Sequence, residues 1–433
     1  MTVDQVTFPL APIYQSKGIE FHQALATEIH PEGDADDQTP YVVVTSTLPG
    51  KEGEAEKITY DYLINCTGPK LNFGATPGLG PDNGFTMSVC TAPHALEASK
   101  HLKEAIDRAK KGEHLRFVIG TGHGTCTCQG AAFEYTFNVE HELREAGVRD
   151  KAEVIYFTNE AALGDFGVGG MTFDNEGYQT SSDLWTESLF RERGVQAIIG
   201  AHATNIEDGK ISYEQLDGST HELPFDFAML IPPFRGQDLK AFDKDGEDIS
   251  DKLFNPAGFL KVDANYSAGA YENWKADDWP KTYQSPVYGN IYAAGIAFAP
   301  PHQISKPRTS PNGTVITPAP PRTGMPSGMI AKAVAYTIAD RVRGNGRKPH
   351  EAPMTNLGAA CVASAGNGLF SGSAAAMTMN PVVPNWEQYP ATGRDIRTTT
   401  GEIGLAGHWV KFMLHVLFIY KAKARPLWWL IPE

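Results

Sequence analysis

Five cysteines, Cys66, Cys90, Cys126, Cys128 and Cys361, are the residues best able to do chemistry in this chain. Cys126 and Cys128 lie in a glycine-rich run that starts at Gly120 and includes Gly122 and Gly124. Cys128 stands just ahead of a helical pattern. The positive end of a helix dipole lowers a thiol's pKa and favours the nucleophilic thiolate. Cys90 lies near the start of another helical pattern, with His94 four residues on. A histidine so placed tunes the thiol or shuttles a proton, or it is a surface group beside a packed cysteine. Cys361 sits among small residues, Gly358-Ala-Ala-Cys-Val-Ala. That run lets backbone approach a flat ligand, or uses the cysteine as a small hydrophobe. Cys126-Thr-Cys128 has no second close pair, so no metal site is expected. The scatter does not suit a secreted disulfide scaffold. Thiol redox chemistry is what remains, with inert buried cysteines as the plain alternative.

These thiols need a scaffold. Residues 115–119 read as a buried strand, 120–124 as a glycine turn and 131–146 as a helix closed by Gly147. Strand, turn and helix open a nucleotide-binding βαβ unit. Thr125 replaces the last glycine of GxGxxG, and thiols take space that a pyrophosphate needs. Residues 41–48 and 57–66 read as a hairpin, and 6–10 and 18–29 as short strands. The second hairpin strand runs into Thr67 and Gly68, where many flavoproteins close the chain over their flavin. Further strands are expected at 153–158, 197–206, 210–216, 225–232 and 290–296. Helices are expected at 95–110, 184–194 and 327–342. The pattern is α/β with antiparallel insertions. Residues 299–328 form a long proline-rich loop with Lys306, Arg308 and Arg322, of the kind that is functional or disordered.

The chain has 433 residues, 41% of them hydrophobic, enough for two or three domains with ample core. A net charge of -14 argues against nucleic acid as a partner. No signal peptide is evident, and no apolar run reaches the length of a membrane span. Residues 408–420 are nonetheless strongly apolar, with Trp409 and Phe418. Lys421, Lys423 and Arg425 follow, then Trp428 and Trp429. Aromatics capped by cations suit the headgroup zone of a membrane surface or a lipid-soluble substrate. The alternative is a terminal helix packed on the core or on a twin subunit.

The residues resemble the sulfide:quinone oxidoreductases, flavoproteins with two dinucleotide-binding domains. Tyr60-Asp-Tyr-Leu-Ile-Asn-Cys-Thr-Gly-Pro-Lys70 carries the likeness, with Ser88-Val-Cys-Thr-Ala-Pro-His94 and Cys128-Gln-Gly-Ala-Ala-Phe-Glu-Tyr135. So do Gly147-Val-Arg-Asp-Lys151, Asn290-Ile-Tyr-Ala-Ala-Gly-Ile296 and Cys361. The resemblance implies a fold of two Rossmann-like, glutathione-reductase-type domains with a C-terminal amphipathic docking region. Residues 1–110 with 285–345 correspond to the FAD domain, 111–284 to the second domain and 346–433 to the quinone and membrane region. The family's redox cysteines fall on Cys90, Cys128 and Cys361. The last two form a disulfide, often with bridging sulfur. Hydrosulfide attacks it, Cys361 is released as a thiolate, and electrons pass through FAD to a membrane quinone. Cys90 is implied as the accessory cysteine, and His94 and Glu134 match a family histidine and acid. Thr67, Gly68, Pro69, Lys70, Gly295, Ile296 and Arg322 are implied at the flavin, and Phe418 or Trp409 at the quinone. A peripheral, monotopic place on the cell membrane follows, with a possible homo-oligomer.

Several positions depart from the pattern. The first βαβ, with its GxGxxG and its acidic ribose ligand, is missing, so the chain is expected to start after that unit. This leaves the grip on FAD incomplete. A loop histidine appears as Asp165, a lysine of the proline loop as Arg322, and an aromatic after the last cysteine as Val362. Cys126 is extra, and Cys66 replaces a small residue. A flavocytochrome-type sulfide dehydrogenase subunit is the enzymatic runner-up. A type II NADH dehydrogenase fits less well, because thiols occupy the nucleotide turn. A truncated, flavin-free relative that binds persulfide or scaffolds a membrane complex is the non-enzymatic reading.

Overall fold

The computed structural model describes residues 3–321, 324–366 and 368–432. Its centre is a four-stranded parallel sheet in the order Val195–Ile198, Ala152–Phe157, Leu115–Thr121, Phe227–Ile231. Leu115–Thr121, Ala152–Phe157 and Phe227–Ile231 are apolar nearly throughout because both faces are covered, whereas the edge strand Val195–Ile198 is partly exposed. Helix Gln129–Glu145 packs on one face against Leu115–Thr121 and Ala152–Phe157. We call it the redox helix. It ends as expected: Gly147, at φ +70°, lets its own N–H and that of Val148 close on Arg144 and Leu143. Glu140 on this helix is fully buried and is held by Arg193 (3.3 Å), Arg149 (3.5 Å) and Arg144. A buried carboxylate needs such partners, and together they clamp the helix.

A second, two-stranded parallel pair joins Leu63–Asn65 to Ile291–Ala293. Helix Gly324–Val342 follows that pair in the chain. An antiparallel layer, Ala24–His30, Tyr41–Ser46 and Ala55–Thr59, takes up Lys240–Ala241 in parallel at its edge. At the C-terminal end, Ala359–Ala365, Ser373–Met379 and Thr400–Gly404 make an antiparallel sheet. The terminal helix Leu405–Ala422 packs on it, and Ala359–Ala365 packs on the redox helix. Cys361 thereby reaches the first turn of the redox helix.

Three expectations are corrected. Residues 6–10 form no strand; Pro9 precedes helix Ala11–Gln15, which has Pro12 in its first turn. The expected hairpin of 197–206 with 210–216 divides: Val195–Ile198 joins the parallel sheet, while Ala201–Glu207 pairs with Lys210–Gln215 and gains a third strand, Thr220–Pro224, whose polar side chains face solvent. The long run 57–66 is two strands, Ala55–Thr59 on the antiparallel layer and Leu63–Asn65 on the parallel pair.

Candidate active site

Cys128 is the N-cap of the redox helix, in the left-handed region at φ 66°. Cys361 comes down on the first turn of the same helix. A Cβ placed on Gly130 would lie 2.7 Å from the Cys361 sulfur, so glycine leaves the room that the thiol occupies. Cys128 and Cys361, both half-buried, meet here as free cysteines. The Cys361 thiol is pushed up to about 12, first by burial and then by the nearby Glu134 carboxylate, with Lys411 acting against both. At neutral pH Cys361 is therefore protonated, and its thiolate needs a cation to persist.

That cation is Lys411, which the sequence reading missed. Its Nζ donates to Glu134 Oε2 at 3.0 Å and to the Val362 carbonyl at 3.1 Å. Glu134 Oε1 accepts from the Ser364 N–H at 3.4 Å, and Ser364 Oγ pairs with His408 Nδ1 at 2.6 Å. Lys411 and His408 both come from the terminal helix, which thus belongs to the site as well as to the surface. A signal was present. Lys411 is the lone Lys or Arg in the apolar run 405–420, and a lone charge there needs a partner.

Cys90 reaches the same turn from the other side. Met87 bridges Met229 in parallel, and continuing that register brings residues 89 and 90 level with the end of Phe227–Ile231. The Ile231 carbonyl there accepts the Cys126 thiol at 3.1 Å. Cys126 is fully buried, and its pKa is raised chiefly by burial and slightly by Cys128 and Cys90. It is the inert thiol of the five. Thr91 caps helix Ala92–Lys110 by accepting the His94 N–H at 3.3 Å. The His94 ring stacks edge-on to Phe73 at 5.8 Å, with Nε2 3.7 Å from Asp82 and a buried Nδ1 lacking a partner among the described residues.

The glycine turn holds protein where a nucleotide would lie. The Thr317 and Ala319 N–H groups donate to the carbonyls of Gly124 and Cys126 at 2.8 and 2.9 Å, and Thr127 Oγ1 donates to the Pro320 carbonyl at 2.9 Å. A Cβ on Gly124 would strike the Val315 carbonyl. The thiols were expected to take the space of a pyrophosphate; the proline loop also lies across this turn. Asp165 helps to tie that loop down, accepting from Ser305 Oγ and from the Gly167 N–H at 3.0 Å. The buried Arg394 guanidinium donates to the carbonyls of Val168, Gly170, Pro381 and Val382 at 2.7–3.0 Å.

The other strand pair offers a seat for a flat ring. Leu63–Asn65 and Ile291–Ala293 run side by side into Gly68 and Gly295, at φ +65° and +68°. Beside Gly68 there is open space, and beside Gly295 the nearest atom to a notional Cβ is 3.7 Å away, on Ser327. A side chain at either position would fill this cradle. The Thr67 N–H and Oγ1 both donate to Asn65 Oδ1, at 3.1 and 2.8 Å. The Gln237 amide donates to the Pro69 carbonyl at 3.0 Å, and Lys70 pairs with Asp238. Arg322 lies outside the described residues.

No family model matches the chain. A sulfide-quinone reductase of Aquifex aeolicus (strain VF5) is 33% identical over 420 residues, 97% of this chain and 79% of that protein. The chain belongs to the sulfide:quinone oxidoreductase family. The crystal structure of the sulfide:quinone oxidoreductase from Aquifex aeolicus superposes with a TM-score of 0.72 at 28% identity, covering 98% of this chain and 80% of that one. The mitochondrial sulfide:quinone oxidoreductase of Schizosaccharomyces pombe is 21% identical over 287 residues, 66% of this chain and 52% of that protein. The fold is the α/β, two-dinucleotide-binding-domain fold of this family, and the open cradle at Gly68 and Gly295 fits its FAD.

Proposed function

We propose that this chain is an FAD-dependent sulfide:quinone oxidoreductase in which Cys128 and Cys361 take up the sulfur. The observation that carries this reading is their meeting at Gly130, in a chain one-third identical to a family member along nearly its whole length. In the disulfide form of the pair, HS⁻ attacks the Cys128 sulfur. A Cys128–S–SH bond forms, the Cys128–Cys361 bond breaks, and Cys361 leaves as a thiolate. Lys411, steadied by Glu134, is the cation beside that thiolate. FAD, when bound, would supply the two-electron acceptor. Thr67, Gly68, Pro69, Lys70, Gly295 and Ile296 would hold it, with Arg322. Cys90 and His94 serve as accessory thiol and its neighbouring base.

The terminal helix divides the quinone and membrane roles by its period. Phe418 is seven residues from Lys411, two turns on along nearly the same face. Trp409 is nine residues from Phe418, on the opposite face, where its indole N–H donates to the Leu369 carbonyl at 2.6 Å. Phe418 therefore suits quinone stacking near the Lys411 pair. Trp409, Trp428 and Trp429 suit the membrane surface. No helix among the described residues is long and apolar enough to cross a membrane.

The first test is a visible spectrum of the protein without oxygen. Sulfide should bleach the flavin and a short-chain quinone restore it, whereas NADH, kept out by the proline loop, should leave the band unchanged. A colourless protein, or bleaching by NADH in place of sulfide, would sink the reading. A second test is Lys411→Met, read as quinone reduction under saturating sulfide. Losing a charge-assisted contact to the thiolate, about 1.5–3 kcal/mol, should cut the rate roughly 10- to 100-fold. An unchanged rate would remove Lys411 from the site.

A further inference from the structure

Behind the cysteine pair lies a second acid that the reaction as described does not use. Glu160 is fully buried at the end of strand Ala152–Phe157. Its Oε1 accepts from the Phe166 N–H at 2.7 Å. Its Oε2 lies 2.8 Å from Thr158 Oγ1 and 3.0 Å from the Tyr156 hydroxyl. That hydroxyl also sits 3.3 Å from the carbonyl of Gln129, the residue directly after Cys128. One hydroxyl proton faces two acceptors, the Glu160 carboxylate and the Gln129 carbonyl. With Glu160 ionised, Tyr156 donates to Glu160 and the contact to Gln129 is not a hydrogen bond. With Glu160 protonated, Glu160 donates to Tyr156 and Tyr156 turns to Gln129. The state of Glu160 is thus transmitted to the first turn of the redox helix by one hydroxyl rotation.

We propose that Glu160, acting through Tyr156, holds the proton released when sulfide is oxidised at Cys128. The proposal rests on the sulfide reading above. Hydrosulfide arrives with one S–H bond, and a persulfide S–H is more acidic than a thiol. As the S–H bond of Cys128–S–SH breaks, the Tyr156 oxygen takes that proton while its own passes to the Glu160 carboxylate. The products are Cys128–S–S⁻ and a neutral Glu160; no electron moves. Burial first, and then the charge of Asp165, raise the Glu160 pKa to about 7, where a proton carrier is most effective. The Tyr156 hydroxyl reaches the backbone one residue after Cys128, at the Gln129 carbonyl, and feels the charge of Cys361. The titratable groups facing Glu160 are Asp165 from its own loop, Tyr156 from its strand and, beyond Tyr156, Cys361; Arg394 offsets Asp165. Asp165 and Arg394 line an open cavity of about 360 Å³, which gives the proton a way to solvent. Glu134, held by Lys411, stays with the Cys361 side. The two carboxylates then serve two different steps because their surroundings differ.

Glu160 touches no substrate, so the test needs a readout that a purely structural role would leave alone. The turnover number is measured against pH at saturating sulfide and quinone, which keeps titration of the substrate out of the profile. Wild type should gain activity as pH rises through about 7. Glu160→Gln can keep the same contacts but cannot ionise. It should lose about 100-fold at pH 8 and show no such inflection. Tyr156→Phe, which leaves the bonds of Glu160 to Thr158 and Phe166, should do the same, and Glu160→Asp should restore part of both. Glu160→Gln with a wild-type rate, or with a lower rate and the inflection unmoved, would overturn the proposal. Melting curves provide the folding control. An acid whose pKa is raised in the folded state stabilises below its unfolded pKa and loses that contribution as pH rises through the folded value. Wild type should therefore melt lower relative to Glu160→Gln at pH 8 than at pH 5. If Glu160→Gln does not fold, Tyr156→Phe decides alone. A wild-type protein that ignores sulfide would instead fault the sulfide reading.

Discussion

Cys128→Ser and Cys361→Ser should each abolish the bleaching of flavin by sulfide, with at least a 1000-fold loss of turnover. Serine is close to cysteine in size, so neither change should disturb the fold. What it removes is the chemistry. A hydroxyl is neither a disulfide partner nor a leaving group at neutral pH, and removing one member of a nucleophilic pair costs about as much as removing both. Cys126→Ser is the contrasting control. That thiol donates to the Ile231 carbonyl inside a closed turn and faces no open space. A serine there can make the same bond, so activity should remain within about threefold, at a stability cost on the order of 1 kcal/mol. Full activity in either the Cys128 or the Cys361 variant, or loss confined to the Cys126 variant, would mean that the wrong thiols have been assigned.

The sequence shows some of this site and hides the rest, for physical reasons. Residues 115–147 could be read because strand, turn and helix are local and each leaves its own period. Cys128 is visible in the same way, since a helix start is a local event. Cys361 stands out locally for its small neighbours, but its pairing with Cys128 is visible only by resemblance. Its sheet is dominated by small residues, as in Ala359–Ala365 and Ser373–Met379, and has few of the bulky β-branched and aromatic side chains that mark a strand. Glu134 and Lys411 lie 277 residues apart, and nothing local announces that they meet. Glu160 looks like any loop carboxylate until the chain folds over it. The proline loop is a different case. Its length suggested function or disorder, but not that residues 315–320 would lie across the glycine turn and fill the nucleotide position. Local readings identified the tools, and long-range packing decides which of them face one another.

The same division applies to the terminal helix, where the larger physical claim concerns the membrane. Phe370, Phe418 and Trp429 are 80, 68 and 61% exposed, with Leu369, Phe412 and Leu430 also above half. Large exposed apolar side chains in such number at one end of the chain mark an interaction surface. Residues 405–432 hold Lys411, Lys421, Lys423 and Arg425 and no acidic residue, within a chain of net charge -14. Local positive charge beside exposed aromatics suits an anionic lipid surface better than a second copy of an acidic protein. Deleting the helix would be a poor test, because it would also remove Lys411 and His408 from the site. Phe370→Glu with Phe412→Glu is cleaner, since neither side chain is buried in the protein. Each buried phenyl contributes about 1.5–3 kcal/mol to partitioning, so the pair should weaken binding to anionic vesicles at least 100-fold. Flavin bleaching by sulfide in solution should not change. Unaltered sedimentation with vesicles would end the membrane reading. Dissociation of an oligomer by the same pair, with no lipid present, would assign this face to a second copy of the chain. Added salt separates the forces: the cationic share, about 1 kcal/mol per basic residue, should fade while the aromatic share persists.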